Sequence, residues 1–280
     1  MNRIIKEGFI DEQTPDLKYY AFDWDDNIVH MPTKIILKND KGGDVFMSTA
    51  DFADYRSEIG KEPFEYNGET VVGFAENPLR NFRTAGDKQF KIDAMTAKEG
   101  PAFDDFREAI NNGSIFAIIT ARGHSPETLK EAVRQYIDSN FNGISKEELI
   151  KNLKKYRTFV GEDDMSDDEL IDSYLELNKY HPVTFGDPTG AINPEEAKVE
   201  AMENFVAYIK AMAALLNKRA FLKKDIANKF VPSLSIGFSD DDPKNVEVMS
   251  KHFSDKPDNI VKTYSTAGGI KRLVDKDKTD

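Results

Sequence analysis

Two stretches of the chain are apolar without interruption, Tyr19-Tyr20-Ala21-Phe22 and Ile115-Phe116-Ala117-Ile118-Ile119. Both are too short for a core helix and read as buried strands. A third stretch, Val231–Ser239, has apolar residues at Val231, Leu234, Ile236 and Phe238 and predicts another strand. Two weaker ones, Pro182–Phe185 and Ile260–Tyr264, add short strands. The first run breaks into Asp23-Trp24-Asp25-Asp26-Asn27 and the third into Asp240-Asp241-Asp242-Pro243. The second ends in Thr120 and then Ala121-Arg122-Gly123-His124.

Helical spacing appears between these strands. Phe103, Phe106, Ala109 and Ile110 predict a helix over 101–112, closed by Asn112-Gly113. Ser125 and Pro126 suit the N-cap and first position of a helix over 126–139. Within 140–180, Ser145…Glu148 and Ser166…Glu169 have capping-box spacing and open two more helices. The acidic run Glu162-Asp163-Asp164 lacks the glycine and closing glutamate of a calcium loop and reads as a solvated helix start. A long stripe from Lys198 through Met202, Phe205, Val206, Ile209 and Met212 predicts a core-packing helix, and a further helix spans 244–252. Strand, turn and helix in alternation predict an α/β fold, a Rossmann-like parallel sheet with helices on both faces.

Residues 31–100 break that rhythm. Lys34–Lys38 and Val45–Met47 flank the turn Lys41-Gly42-Gly43-Asp44 as a hairpin, and Ser48 or Thr49 caps a short helix over 50–59. Thr70–Phe74 is another strand. The segment reads as an inserted subdomain of β character, dividing a core made of 1–30 and 101–280.

Composition narrows the function classes. The chain has 280 residues, 39% hydrophobic and 31% charged, with a net charge of −12, which suits a globular protein and argues against a broadly polyanion-binding surface. It contains no cysteine, excluding disulfides, thiol catalysis and zinc–thiolate sites. No apolar run is long enough for a membrane span, and Met1–Glu7 lacks the apolar core of a signal peptide; a cytoplasmic location is expected. No repeat at a solenoid period is present, and the sequence leaves the oligomeric state open. His30, His181 and His252 show no metal-ligand spacing. Trp24 alternates away from Asp23 and Asp25 and reads as packing.

Carboxylates at strand ends carry the chemistry. Three acids crowded together raise one another's pKa unless a cation shares the site. In a parallel sheet the ends of adjacent strands meet in one crevice. Asp23, Asp25, Asp240, Asp241 and Asp242 would then form a hard-oxygen site for Mg²⁺, and Lys198 beside it would suit a phosphate dianion.

These motifs resemble the haloacid dehalogenase-like (HAD) phosphohydrolase superfamily. Phe22-Asp23-Trp24-Asp25-Asp26-Asn27 is similar to its first motif, Ile118-Ile119-Thr120 to its second, Lys198 to its third, and Ile236–Asn245 to its acidic fourth. The order covers residues 20–30 and 101–250, leaving 31–100 where the family places a cap. The resemblance implies a Mg²⁺-dependent phosphatase. Asp23 would be the nucleophile that forms an aspartyl-phosphate, and Asp25 the general acid and base. Thr120 would hydrogen-bond a phosphoryl oxygen and Lys198 would neutralise charge. Asp23, the Asp25 carbonyl, Asp241 and Asp242 (or Asp240) would hold the metal. Arg122 and His124, just past the second motif, would meet substrate. Asn27 replaces the commoner Thr or Val, and Asn245 a second acid. Lys210, Lys218, Lys223, Lys224 and Lys229 compete with Lys198.

The expected substrate is a small phosphorylated metabolite or nucleotide, because a cap encloses a small ligand. A polynucleotide end is the rival, read from the basic residues Arg80, Arg83, Lys88 and Lys91. A non-catalytic phosphate-binding scaffold is the second alternative; the pair Asp23 and Asp25 argues against it. A phosphomutase or dehalogenase fits less well.

Overall fold

The computed structural model describes residues 17–160, 165–187, 191–222, 234–258 and 260–274. In chain order the strands are β1 (Leu17–Phe22), β2 (Val29–His30), β3 (Ile35–Asn39), β4 (Asp44–Met47), β5 (Phe64–Tyr66), β6 (Glu69–Phe74), β7 (Lys98–Glu99), β8 (Phe116–Thr120), β9 (Lys179–Pro182), β10 (Leu234–Asp240), β11 (Val261–Ser265) and β12 (Arg272–Leu273). The helices are α1 (Thr49–Tyr55), α2 (Asp87–Ala94), α3 (Phe103–Asn111), α4 (Pro126–Asp138), α5 (Lys146–Val160), α6 (Asp167–Leu177), α7 (Pro194–Leu222) and α8 (Pro243–Ser254).

The protein is mixed α/β, built on a six-stranded sheet in the order β12-β11-β10-β1-β8-β9. All its pairings are parallel except that of β12. The chain lays β8 and β9 on one side of β1, then crosses to lay β10 and β11 on the other. The strand order therefore reverses beside β1, which in open parallel sheets is where a crevice opens at the carboxyl ends. Residue alternation in the buried strands feeds both faces. Phe116 and Ile118 enter one core cluster with Phe106, Leu129, Tyr136 and Tyr174 of α3, α4 and α6. Ala117 and Ile119 enter the other with Met202, Phe205 and Ile209 of α7 and Met249 of α8.

Trp24 packs as its alternation predicts, fully buried and stacked on Tyr136 with ring centroids 5.9 Å apart. Its indole Nε1 lacks a hydrogen-bond partner. That costs about 1–3 kcal/mol, comparable with the roughly 1.5–3 kcal/mol gained by burying a large apolar side chain.

Within 31–100 a second, antiparallel sheet runs β4-β3-β6-β5 over its own small core of Ile35, Leu37, Met47 and Val71. The packing does not divide at 31 and 100, however. Met31, Phe90, Ala94 and Ala97 belong to the main core cluster, so α2 is built into the main body. The two connections to the insertion pair with each other as β2 and β7. Gly100 closes this ribbon: a Cβ there would lie 2.4 Å from the carbonyl oxygen of Asn27.

Several boundaries differ from the sequence pattern. The weak strand expected over 182–185 is β9, Lys179–Pro182. It is a half-exposed edge strand without an apolar run, and residues past it turn back so that Thr184 Oγ1 donates to the Ala121 carbonyl. Helix α1 ends at Tyr55, short of residue 59. The capping box at Ser166 is complete. At Ser145 it is half made: Oγ accepts from Glu148 N, while the Ser145 N–H goes to Asn111. The run Glu162–Asp164 and residues 231–233 of the predicted strand lie outside the described residues.

Candidate active site

The crevice beside β1 gathers its acids through backbone register. Phe22 pairs with Ser239 of β10 and Ile118 of β8, so Asp23, Asp240 and Thr120 come at adjacent strand ends. The Asp23 N–H continues the ladder to the Ser239 carbonyl at 2.9 Å. Past Asp23 the chain turns sharply, with Asp26 at φ 52°, a left-handed conformation that Asp tolerates better than bulkier residues.

Asn27 fastens this turn. It is fully buried. Its Nδ2 donates to the Asp23 carbonyl (3.0 Å) and to the Ser239 carbonyl and Oγ (3.1 Å each). Its Oδ1 accepts from Thr266 Oγ1 at 2.9 Å. A Val here would make none of these bonds, and a Thr hydroxyl carries one donor against the two of an amide.

Lys198, one turn into α7, is 2% exposed and reaches Asp23 Oδ1 at 2.8 Å and Asp240 Oδ2 at 2.7 Å. Of its rivals, Lys210 is an exposed partner of Asp258; Lys223, Lys224, Lys229 and the side chain of Lys218 lie outside the described residues. Asp240 is further held through Oδ1 by the Asn245 amide (3.1 Å) and the Asp242 N–H (3.0 Å).

Asp23, Asp240 and Asp241 each offer an oxygen within 4.8 Å of the others. Three carboxylates against one ammonium leave two negative charges, which one divalent ion matches. The titration follows that surplus. Burial, then Asp240 and Asp25, raise Asp23 to about 8 against the pull of Lys198. Burial, then Asp240, Asp23 and Asp26, raise Asp241 to about 9. Burial alone would lower Lys198, but its ion pairs to Asp23 and Asp240 outweigh that and raise it. Hard oxygens with uncompensated charge could hold a hard divalent cation, of which Mg²⁺, Ca²⁺ and Mn²⁺ are the common ones.

Asp242, expected among the ligands, is turned elsewhere. Its side chain caps α8 by accepting from Lys244 N and pairs with Arg56 at 3.3 Å. Asp240 takes its place in the cluster.

Of the two expected substrate contacts, Arg122 lines the cleft and His124 does not. Arg122 is 1% exposed, and its guanidinium forks onto Asp25: Nε to Oδ2 at 2.7 Å and Nη2 to Oδ1 at 2.6 Å. His124 is fully buried and does not line the cleft. Its Nδ1 lies 2.7 Å from Asp87 Oδ1. Burial and the neighbouring Arg122 lower His124 to about 4, so the ring is neutral. His124 thus touches Arg122 and Asp87, not the cleft.

Asp23, Asp25, Arg122, Asp240 and Asp241 line a cleft of about 370 Å³. Thr120 and Lys198 form part of its wall, and the insertion supplies Ile35, Phe52, Leu79 and Phe82. Helix α1 is tied over it: Thr49 Oγ1 donates to Asp26, and Arg56 reaches Glu195 at 3.2 Å as well as Asp242. Three of the four basic residues noted in the insertion have partners of their own. Arg80 pairs with Asp44, Lys91 with Glu131, and Arg83, at the cleft, donates to the Asp187 carbonyl.

Sequence reasoning did not find Arg56, Thr33 or Asp87. Each lies in the insertion, where no local pattern marks it. No helix among the described residues is long and apolar enough to cross a membrane. A scan against family models gives no match, and searches of curated proteins and of solved structures give none either.

Proposed function

We propose that the protein is a Mg²⁺-dependent, HAD-like phosphatase that hydrolyses a small phosphomonoester through an aspartyl-phosphate on Asp23. One observation carries the reading: Asp23, Lys198, Asp240 and Asp241 converge at the end of the parallel sheet in one cleft. The absence of cysteine agrees with a cytoplasmic setting.

Asp23, Asp241 and the Asp25 carbonyl would hold the ion, with Asp240 beside them. When bound, Mg²⁺ supplies a hard Lewis acid that offsets phosphoryl charge. Lys198 orients Asp23 and lets two anions approach. The Asp23 carboxylate attacks phosphorus, the ester bond breaks, and the leaving oxygen takes a proton from Asp25. Asp25 then takes a proton from the water that releases Asp23. Thr120 donates to a phosphoryl oxygen.

The cleft volume lies in the range of small-ligand sites, which supports a metabolite or nucleotide over a polynucleotide end. The wall of Ile35, Phe52, Leu79 and Phe82 favours a leaving group with an apolar or aromatic face. A polyhydroxylated sugar would leave hydroxyls unpaired there. The test is phosphate release from aryl phosphates, nucleotides, sugar phosphates and phosphorylated oligonucleotides, with Mg²⁺ and with chelator. Mg²⁺-dependent turnover that Asp23→Asn abolishes is expected. No turnover on any of these substrates would favour a binding scaffold.

A further inference from the structure

The surroundings of Arg122 come from two parts of the chain. Its fork onto Asp25 joins it to the catalytic loop. Its other contacts lie in the insertion or lead to it. Nη2 also donates to Thr33 Oγ1 at 3.1 Å. The guanidinium carbon sits 4.6 Å from the ring centre of Phe82 and 4.9 Å from that of Phe90. Nη1 is 3.1 Å from His124 Nε2, and His124 Nδ1 is 2.7 Å from Oδ1 of Asp87, the first residue of α2.

The donors along this chain are fixed by chemistry. A carboxylate only accepts, so His124 Nδ1 carries the proton given to Asp87. Nε2 is then the lone pair that accepts from Arg122, which only donates. The loop carrying His124 is also bound to the insertion through its backbone, Gly123 N donating to the Phe82 carbonyl at 2.8 Å.

We propose that Asp87 and His124 are positioning residues which act through Arg122 to fix the Asp25 carboxyl for proton transfer, so that the insertion takes part in the acid–base step. This rests on the phosphatase reading. The fork uses one lone pair on each Asp25 oxygen and leaves another on each, so the proton destined for the leaving group has a place. Without His124, the buried Nη1 loses its partner and the guanidinium tilts, carrying Asp25 with it. A misplacement of about 1 Å is enough to cost roughly a hundredfold in rate.

Leaving-group dependence separates this role from a merely structural one. An alkyl phosphate needs a proton on its departing oxygen, whereas p-nitrophenyl phosphate releases a stable phenolate and needs little help. General acid catalysis is worth about 10²–10⁴-fold. With the full chain and Mg²⁺, His124→Gln should lower kcat/KM, which reports only the step that breaks the ester bond, by at least ~30-fold for phenethyl phosphate and by a few-fold for p-nitrophenyl phosphate. Asp87→Asn should act in the same direction by about 5-fold on the alkyl ester. The Mg²⁺-induced rise in melting temperature should be the same as in the wild type. If His124→Gln does not fold, Asp87→Asn carries the test, since that carboxylate is 28% exposed and the change is isosteric. Equal losses on both esters, or no loss on the alkyl ester, overturn the proposal. A wild type that hydrolyses neither ester overturns the phosphatase reading and this one with it.

Discussion

The Lys198 ammonium lies 2.8 Å from Oδ1 of Asp23 across 175 positions of chain, and 2.7 Å from Oδ2 of Asp240. All three groups are almost wholly buried. Removing one partner of a buried ion pair leaves a charge that water cannot reach. Lys198→Met should therefore lower the metal-free unfolding free energy by about 3 kcal/mol at pH 8. The loss should shrink at pH 5, where Asp23 and Asp241 hold protons. Urea denaturation at the two pH values with chelator checks this; an equal loss at both would show that charge is not the cause.

Stability without metal should fall as pH rises from about 4 to 9, most steeply above about 6.5. Asp23 and Asp241 titrate near 3.8 when unfolded and near 8 and 9 when folded. The folded state binds more protons across that window, so raising pH favours unfolding. His124 opposes them in the lower part of that window: its pKa drops from 6.5 to about 4 on folding, so its contribution is lost as pH falls from 6.5 to 4, one proton against two. With two protons gained against one lost, metal-free stability should be greatest near pH 4–5. Mg²⁺ binds the ionised carboxylates and should stabilise more at pH 8.5 than at pH 6. Melting temperatures across pH, with chelator and with Mg²⁺, read both effects; a Mg²⁺ gain independent of pH would contradict this.

Asn27→Ala should destabilise by about 2–3 kcal/mol, because the Ser239 hydroxyl and the Thr266 hydroxyl lose a buried partner. It should also weaken Mg²⁺ binding by freeing the turn that carries Asp25. Calorimetric titration with Mg²⁺ beside a denaturant melt distinguishes a variant that is only less stable.

Arg56→Ala should behave in the opposite way. Its ion pairs to Glu195 and Asp242 are partly exposed and should contribute under about 1 kcal/mol to stability. Because the side chain lines the cleft and ties α1 over it, KM should rise several-fold. A large drop in melting temperature with unchanged KM would overturn this.

Gly100→Ala should cost about 1–3 kcal/mol, since its Cβ would meet the backbone at Asn27. A thermal melt decides it; an unchanged midpoint would mean the ribbon of β2 and β7 yields freely.

Local pattern alone determined much of this protein. Continuous apolar runs marked β1 and β8, 3.6-residue spacing marked α3 and α7, an N-cap serine followed by proline marked α4, and the acids at strand ends marked where charge must be shared. These signals sit within a few residues of what they describe, and neighbouring side chains carry them. The edge strand β9 carried no such signal because it is half exposed. What only the tertiary structure decided is which groups meet across distance. Asp240 joins the cluster, while Asp242 caps a helix, because the backbone after β10 turns and sends successive carboxylates to different partners. Arg122 faces Asp25 from 97 positions away, held by aromatic rings and a histidine of the neighbouring loop and the insertion. Contacts of that kind depend on how separate elements pack, and no periodicity along the chain encodes them.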